Sequence, residues 1–125
     1  MIRIVQFAFL LHLIIETTAS INFILRPSAT LLAPQPHSHA VIRQYALLLI
    51  SSNIIAAVML NREVDATSGK IAGALGVYHF GPVVRAVSRI GQKSSGSGLN
   101  EPWLHAFAHM LCGTCLLVSF IVSST

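Results

Sequence analysis

Glu16 is one of only four acidic residues in a chain of 125, and it lies in HLIIETTASIN, residues 12 to 22, within otherwise lipid-compatible sequence. A carboxylate at mid-bilayer depth costs at least about 2.5 kcal/mol, so something must offset it: a proton, an imidazole partner or a water-filled cavity. Partners of the right type are present. His12 precedes Glu16 by four residues, so the two share a helix face, and His105 and His109 are related in the same way. His79, Tyr78 and Asn53 add polar groups in two further apolar segments. An ionisable residue within a membrane segment is by default a functional candidate. The expected chemistry is acid–base: Glu16 as acid or base with His79 and His109 as catalytic partners. His12, Asn53, Tyr78 and His105 are expected to line the substrate pocket. The structural alternative gives Glu16 and His109 only interhelical hydrogen bonds to make.

Two other constellations carry less chemistry. His105, His109, Cys112 and Glu16 have acceptable ligand types for a metal. However, HAFAH, residues 105 to 109, lacks the glutamate of a zincin motif. Neither a metal nor a cofactor is therefore expected. Cys112-Gly-Thr-Cys115 is a CxxC in mid-segment, where apolar surroundings favour the inert thiol. It is similar to the pair on a membrane helix of the vitamin K epoxide reductases. Those enzymes use a second, loop pair as well, and this chain has no other cysteine. Small-residue packing is the expected role.

The elements that must position these residues are four apolar segments, spanning about 4–25, 44–60, 70–90 and 103–122. A span needs roughly 20 mostly apolar residues. The third segment qualifies only if Arg85 and Arg89 snorkel to the headgroups. Between the segments lie loops 26–43, with three prolines, 61–69, with both signs of charge, and the Gly/Ser-rich 91–102. Composition agrees: charged residues make up 10% of the chain, against about 25% in soluble domains. The expected fold is a single all-α domain over residues 1–125, a four-helix transmembrane bundle, because lipid forces backbone amides to pair within helices. Gly69-x-x-x-Gly73 and Ala72-x-x-x-Gly76 permit close helix approach. Gly81-Pro82 predicts a kink just after Tyr78 and His79.

Depth links the elements to the site. Counting 1.5 Å per residue from the face bearing the first and third loops, Glu16, Asn53, His79 and His109 all fall about 9 to 17 Å deep. A common polar pocket on four helices follows. Five basic residues flank that face and three the other, which favours a cytoplasmic first and third loop. A cleaved signal peptide ending near Thr18-Ala19-Ser20 is the competing reading of the N-terminus, with His12 and Glu16 poor residues for its apolar core. A formal charge of +4 without a basic, aromatic-interleaved stripe excludes nucleic-acid binding.

The glutamate of ETTASINFILRPS, the YHFGPVVRAVSRI stretch and EPWLHAFAH, set in a four-span layout, resemble the small multi-pass membrane proteins of fungal natural-product pathways. The resemblance covers most of the chain as layout. It implies a role in secondary-metabolite biosynthesis of terpenoid or polyketide type, as an enzyme or accessory factor acting on a lipophilic intermediate. The expected location is the endoplasmic reticulum or another endomembrane ahead of the plasma membrane. Integral-membrane terpene cyclases of such pathways use acidic proton donors but have seven spans, and no residue carries over from them. Small multidrug-resistance exporters are likewise four-helix chains with a first-helix glutamate, which keeps a proton-coupled transporter as the alternative, with a non-catalytic scaffold behind it. This sequence lacks their glycine-rich third-helix pattern. Expected partners are the lipid bilayer, a lipophilic small molecule, other membrane-associated pathway enzymes and a second copy in a homodimer.

Overall fold

The computed structural model describes residues 4–31, 35–96 and 98–124, and these form an all-α bundle. The helices are α1 (Ile4–Leu25), α2 (Pro36–Leu60), α3 (Ala66–Tyr78), α4 (Phe80–Gly91) and α5 (Pro102–Ser124), with short 3-10 turns at Pro27–Thr30 and Gly98–Asn100. Among the described residues, α1, α2 and α5 are long and apolar enough to cross a membrane. This is a membrane protein.

The burial pattern of α1 is inverted relative to a soluble helix. Its inward stripe, Val5, Phe9, His12, Glu16 and Ser20, is mostly polar toward one end, while Phe7, Ile14 and Ile21 face outward. Residues three or four apart share a helix face, so the polar stripe is continuous and points into the bundle. In lipid the apolar outer face needs no cover, and the polar groups find partners inside. In α5, Ala106, His109, Cys112, Leu116 and Ser119 are buried at the same spacing. Helix α1 packs along α2, and α5 packs against α3, α4 and α1, so α5 is the common wall of the site.

Two expectations are corrected. The second segment starts at Pro36 rather than near residue 44, so His37, Ser38 and His39 are helical and not loop. Proline at the first turn of a helix loses no hydrogen bond, since that N–H has no intrahelical partner. The proline-rich loop therefore ends at a proline instead of extending past it. Of its remainder, residues 32–34 lie outside the described residues. The third segment is not one helix over 70–90 but two, α3 and α4, broken at His79. Pro82 has no N–H to offer the Tyr78 carbonyl four residues back, so the ladder is interrupted one turn before the proline. Neither half reaches the length of a span by itself.

Helix α3 begins with a capping box. The Asp65 carboxylate accepts from the Ser68 backbone N–H at 2.8 Å, and Ser68 Oγ lies 3.4 Å from the Asp65 N–H. The helix then presents Gly69, Gly73 and Gly76 to α5. A Cβ at Gly73 would lie 2.9 Å from Phe120 Cγ, and one at Gly76 would lie 3.0 Å from Leu117 Cγ. In exchange, α5 offers Gly113, where a Cβ would come within 3.1 Å of His79 Cβ. Small residues on both partners let the backbones close up, which brings His79 against α5.

Candidate functional site

The carboxylate of Glu16 is the centre of the polar interior. The side chain is fully buried, as are those of His79 and His109 to within a few per cent. Glu16 Oε1 lies 3.4 Å from His109 Nδ1 and 3.7 Å from His79 Nδ1, and those two nitrogens are 2.8 Å from each other. Oε1 has no hydrogen-bond partner among the described residues. The other oxygen is satisfied: Tyr78 donates to Oε2 at 3.1 Å, and Tyr45 of α2 donates to the Tyr78 hydroxyl at 2.7 Å. One turn nearer the end of α1, Ser20 Oγ donates to the Glu16 backbone carbonyl.

A second chain runs from His79 in the opposite direction. His79 Nε2 lies 3.0 Å from His12 Nδ1, and His12 Nε2 lies 3.2 Å from Ser52 Oγ. Ser52 donates its own proton to the Leu49 carbonyl at 2.8 Å. That last bond fixes the tautomers for neutral rings. With its proton committed, Ser52 Oγ accepts from His12 Nε2–H. His12 Nδ1 is then a lone pair and accepts from His79 Nε2–H. His79 Nδ1 is consequently a lone pair aimed at His109 and Glu16.

Each expected site residue has a defined place. Glu16, His79 and His109 converge, and His12 and Tyr78 contact them directly. His105 lies against His109, the ring centroids 4.4 Å apart and the planes tilted by 57°. Asn53 does not join them. Its Nδ2 reaches Thr17 Oγ1 at 3.2 Å and Ser20 Oγ at 3.4 Å, so it ties α2 to α1 a turn away from the carboxylate. Tyr45 and Ser52 were missed by sequence reasoning. Tyr45 lies at the first residues of the predicted span and reads as an interfacial aromatic, and Ser52 as a small packing residue. Neither carries a local signal for a role at Glu16.

A cavity of about 410 Å³ opens beside the carboxylate. Glu16, His105 and His109 contribute its polar wall, Phe23, Tyr45 and Pro82 much of the rest, and Arg85 is also on it. Its size lies within the range of small-molecule sites, as does a mostly apolar lining with a few convergent polar groups. Chemically, the arrangement can present a carboxylate oxygen and two imidazole nitrogens to a single atom. Comparison with protein-family models, curated proteins and solved structures finds no match to this chain.

Proposed function

We propose that this protein is a membrane-embedded enzyme acting on a lipophilic intermediate, with acid–base chemistry at the Glu16–His109–His79 centre. The observation that carries the reading is a buried carboxylate with one oxygen lacking a partner among the described residues, at the wall of a cavity of small-molecule size. A structural carboxylate would be expected to have both oxygens hydrogen-bonded, since an unmet buried acceptor costs about 1–3 kcal/mol, more for a charged group. An enzyme tolerates that cost where substrate or its proton completes the site. Tyr78 and Tyr45 hold Oε2 and so orient Oε1. His109 is near enough to exchange a proton with it, and the His79–His12–Ser52 chain keeps the neighbouring ring in one tautomer. The lipophilic substrate class follows from the membrane setting and from Phe23, Tyr45 and Pro82 on the cavity wall. The resemblance to fungal natural-product membrane proteins supports a terpenoid or polyketide intermediate and an endomembrane location.

The test is product profiling of a host pathway complemented with wild type or Glu16→Gln. Gln keeps the shape and removes the acid–base group. Accumulation of an unconverted precursor with Glu16→Gln, at normal protein levels in the membrane fraction, is the expected result. Full product formation by Glu16→Gln would make the residue structural and defeat the reading.

A further inference from the structure

We propose that Glu16 Oε1, His79 Nδ1 and His109 Nδ1 form a three-ligand site for a divalent first-row transition-metal ion at the wall of the cavity. The three atoms define a triangle with sides of 2.8, 3.4 and 3.7 Å. The point equidistant from such corners lies about 1.9 Å from each, and an ion slightly out of the plane reaches the roughly 2.0–2.2 Å typical of zinc–nitrogen and zinc–oxygen bonds. Separations this short between three potential ligand atoms are what a shared ion requires. Hydrogen bonding accounts for the 2.8 Å side, with the His79 Nδ1 lone pair accepting from His109, but not for Oε1, which then has no donor among the described residues.

The surroundings match those of a metal site. A ligating histidine usually passes its other ring N–H to a fixed acceptor, and ligating carboxylates are themselves hydrogen-bonded. His79 Nε2–H faces His12 Nδ1, and Tyr78 donates to Glu16 Oε2. The first contact leaves the His79 Nδ1 lone pair turned toward Glu16 Oε1 and His109 Nδ1, and the second leaves Oε1 available; His109 joins them in the tautomer that carries its proton on Nε2. Two imidazoles and one carboxylate make a catalytic rather than a structural set, because a fourth position stays open. Glu16 and His109 line the cavity, so that position is within reach of its contents. His12, His79 and Cys112 also come close enough to be considered as ligands. None of those three lines the cavity beside the carboxylate, whereas Glu16 and His109 do, so the Glu16 set is the one open to a ligand.

The inference deepens the proposed function by naming the cofactor of the same site, and it rests on that reading only for the substrate. The full-length protein, purified in detergent without added metal or chelator, is measured for first-row metals by mass spectrometry. About one equivalent per chain is expected in wild type. His79→Ala, His109→Ala and Glu16→Gln are each expected to fall at least tenfold, while Cys112→Ser stays at the wild-type level. As a measurement independent of any variant, wild type stripped by chelator is titrated with cobalt(II). A saturable visible absorption of four-coordinate cobalt at one equivalent supports the site. Wild type that neither retains a first-row metal nor binds cobalt(II) at one equivalent overturns it, as does undiminished metal in all three ligand variants. The two readings fail separately: metal-free wild type that still converts substrate overturns only the metal, and metal-loaded wild type with no effect on any product overturns only the enzyme.

Discussion

Tyr78 donates its hydroxyl proton to Glu16 Oε2 at 3.1 Å across 62 residues of sequence, and so joins the helix break to the first helix. A hydrogen bond to a charged group is worth about 1.5–3 kcal/mol. Tyr78→Phe removes it and leaves both carboxylate oxygens without a donor. The expected outcome is destabilisation of about that size in detergent-based unfolding, together with loss of product formation. Tyr45→Phe removes only the bond to the Tyr78 hydroxyl and is expected to lie between Tyr78→Phe and wild type in both assays.

Asn53 separates pocket from scaffold. Its amide ties α2 to Thr17 and Ser20 of α1, away from the carboxylate. Interhelical hydrogen bonds in membranes average roughly 0.6 kcal/mol, with a maximum of about 1.7. Asn53→Leu is therefore expected to cost no more than that in stability and to leave product formation within about twofold of wild type. A loss of activity as deep as that of Glu16→Gln, with stability unchanged, would place Asn53 in the chemistry after all.

The glycines of the third segment are not equivalent. At Gly69 an added Cβ would lie 2.5 Å from Ser123 Cβ and 3.6 Å from Ser123 Cα, so α3 and α5 must separate. Overpacking of this kind costs about 1–3 kcal/mol, which outweighs the alanine helix propensity of up to about 1 kcal/mol. At Gly81 nothing lies within 4 Å. Gly69→Ala is expected to lower the melting temperature in detergent and Gly81→Ala to raise it or leave it unchanged. The reverse order would show that α3 and α5 are not in close contact.

Asp65 gives a pH dependence outside the membrane. Hydrogen bonds from the Ser68 backbone and side chain, with Arg62 nearby, hold its carboxyl below the usual carboxylate range. A depressed folded-state pKa means that stability is present above the unfolded value, near 3.8, and is lost as pH falls through the folded one. Helix α3 is expected to fray in that acid range in wild type. Asp65→Asn keeps a good N-cap and should abolish this acid transition, while Asp65→Ala should weaken α3 at neutral pH as well. Hydrogen exchange at residues 66 to 69 reads both effects.

The sequence by itself determined the class and the long apolar segments that become α1, α2 and α5. Each of these depends on composition or on rise per residue, quantities that are local and additive along a helix. It also located the kink, because the missing N–H of Pro82 acts on its own segment. It did not determine which side chains at one depth face each other. That depends on how each helix is rotated about its axis relative to its neighbours, and rotation is decided by packing. The glycines of α3 and Gly113 of α5 set the approach that turns His79 onto His109 and Glu16, whereas the face that α2 presents to α1 gives Asn53 to Thr17 and Ser20. The same rotation brings Tyr45, near the start of the predicted span, onto Tyr78. The tertiary structure alone decided that two histidine nitrogens and one carboxylate oxygen point at a common centre, because atoms from α1, α5 and the break between α3 and α4 converge only when the rotations of all these elements are fixed together.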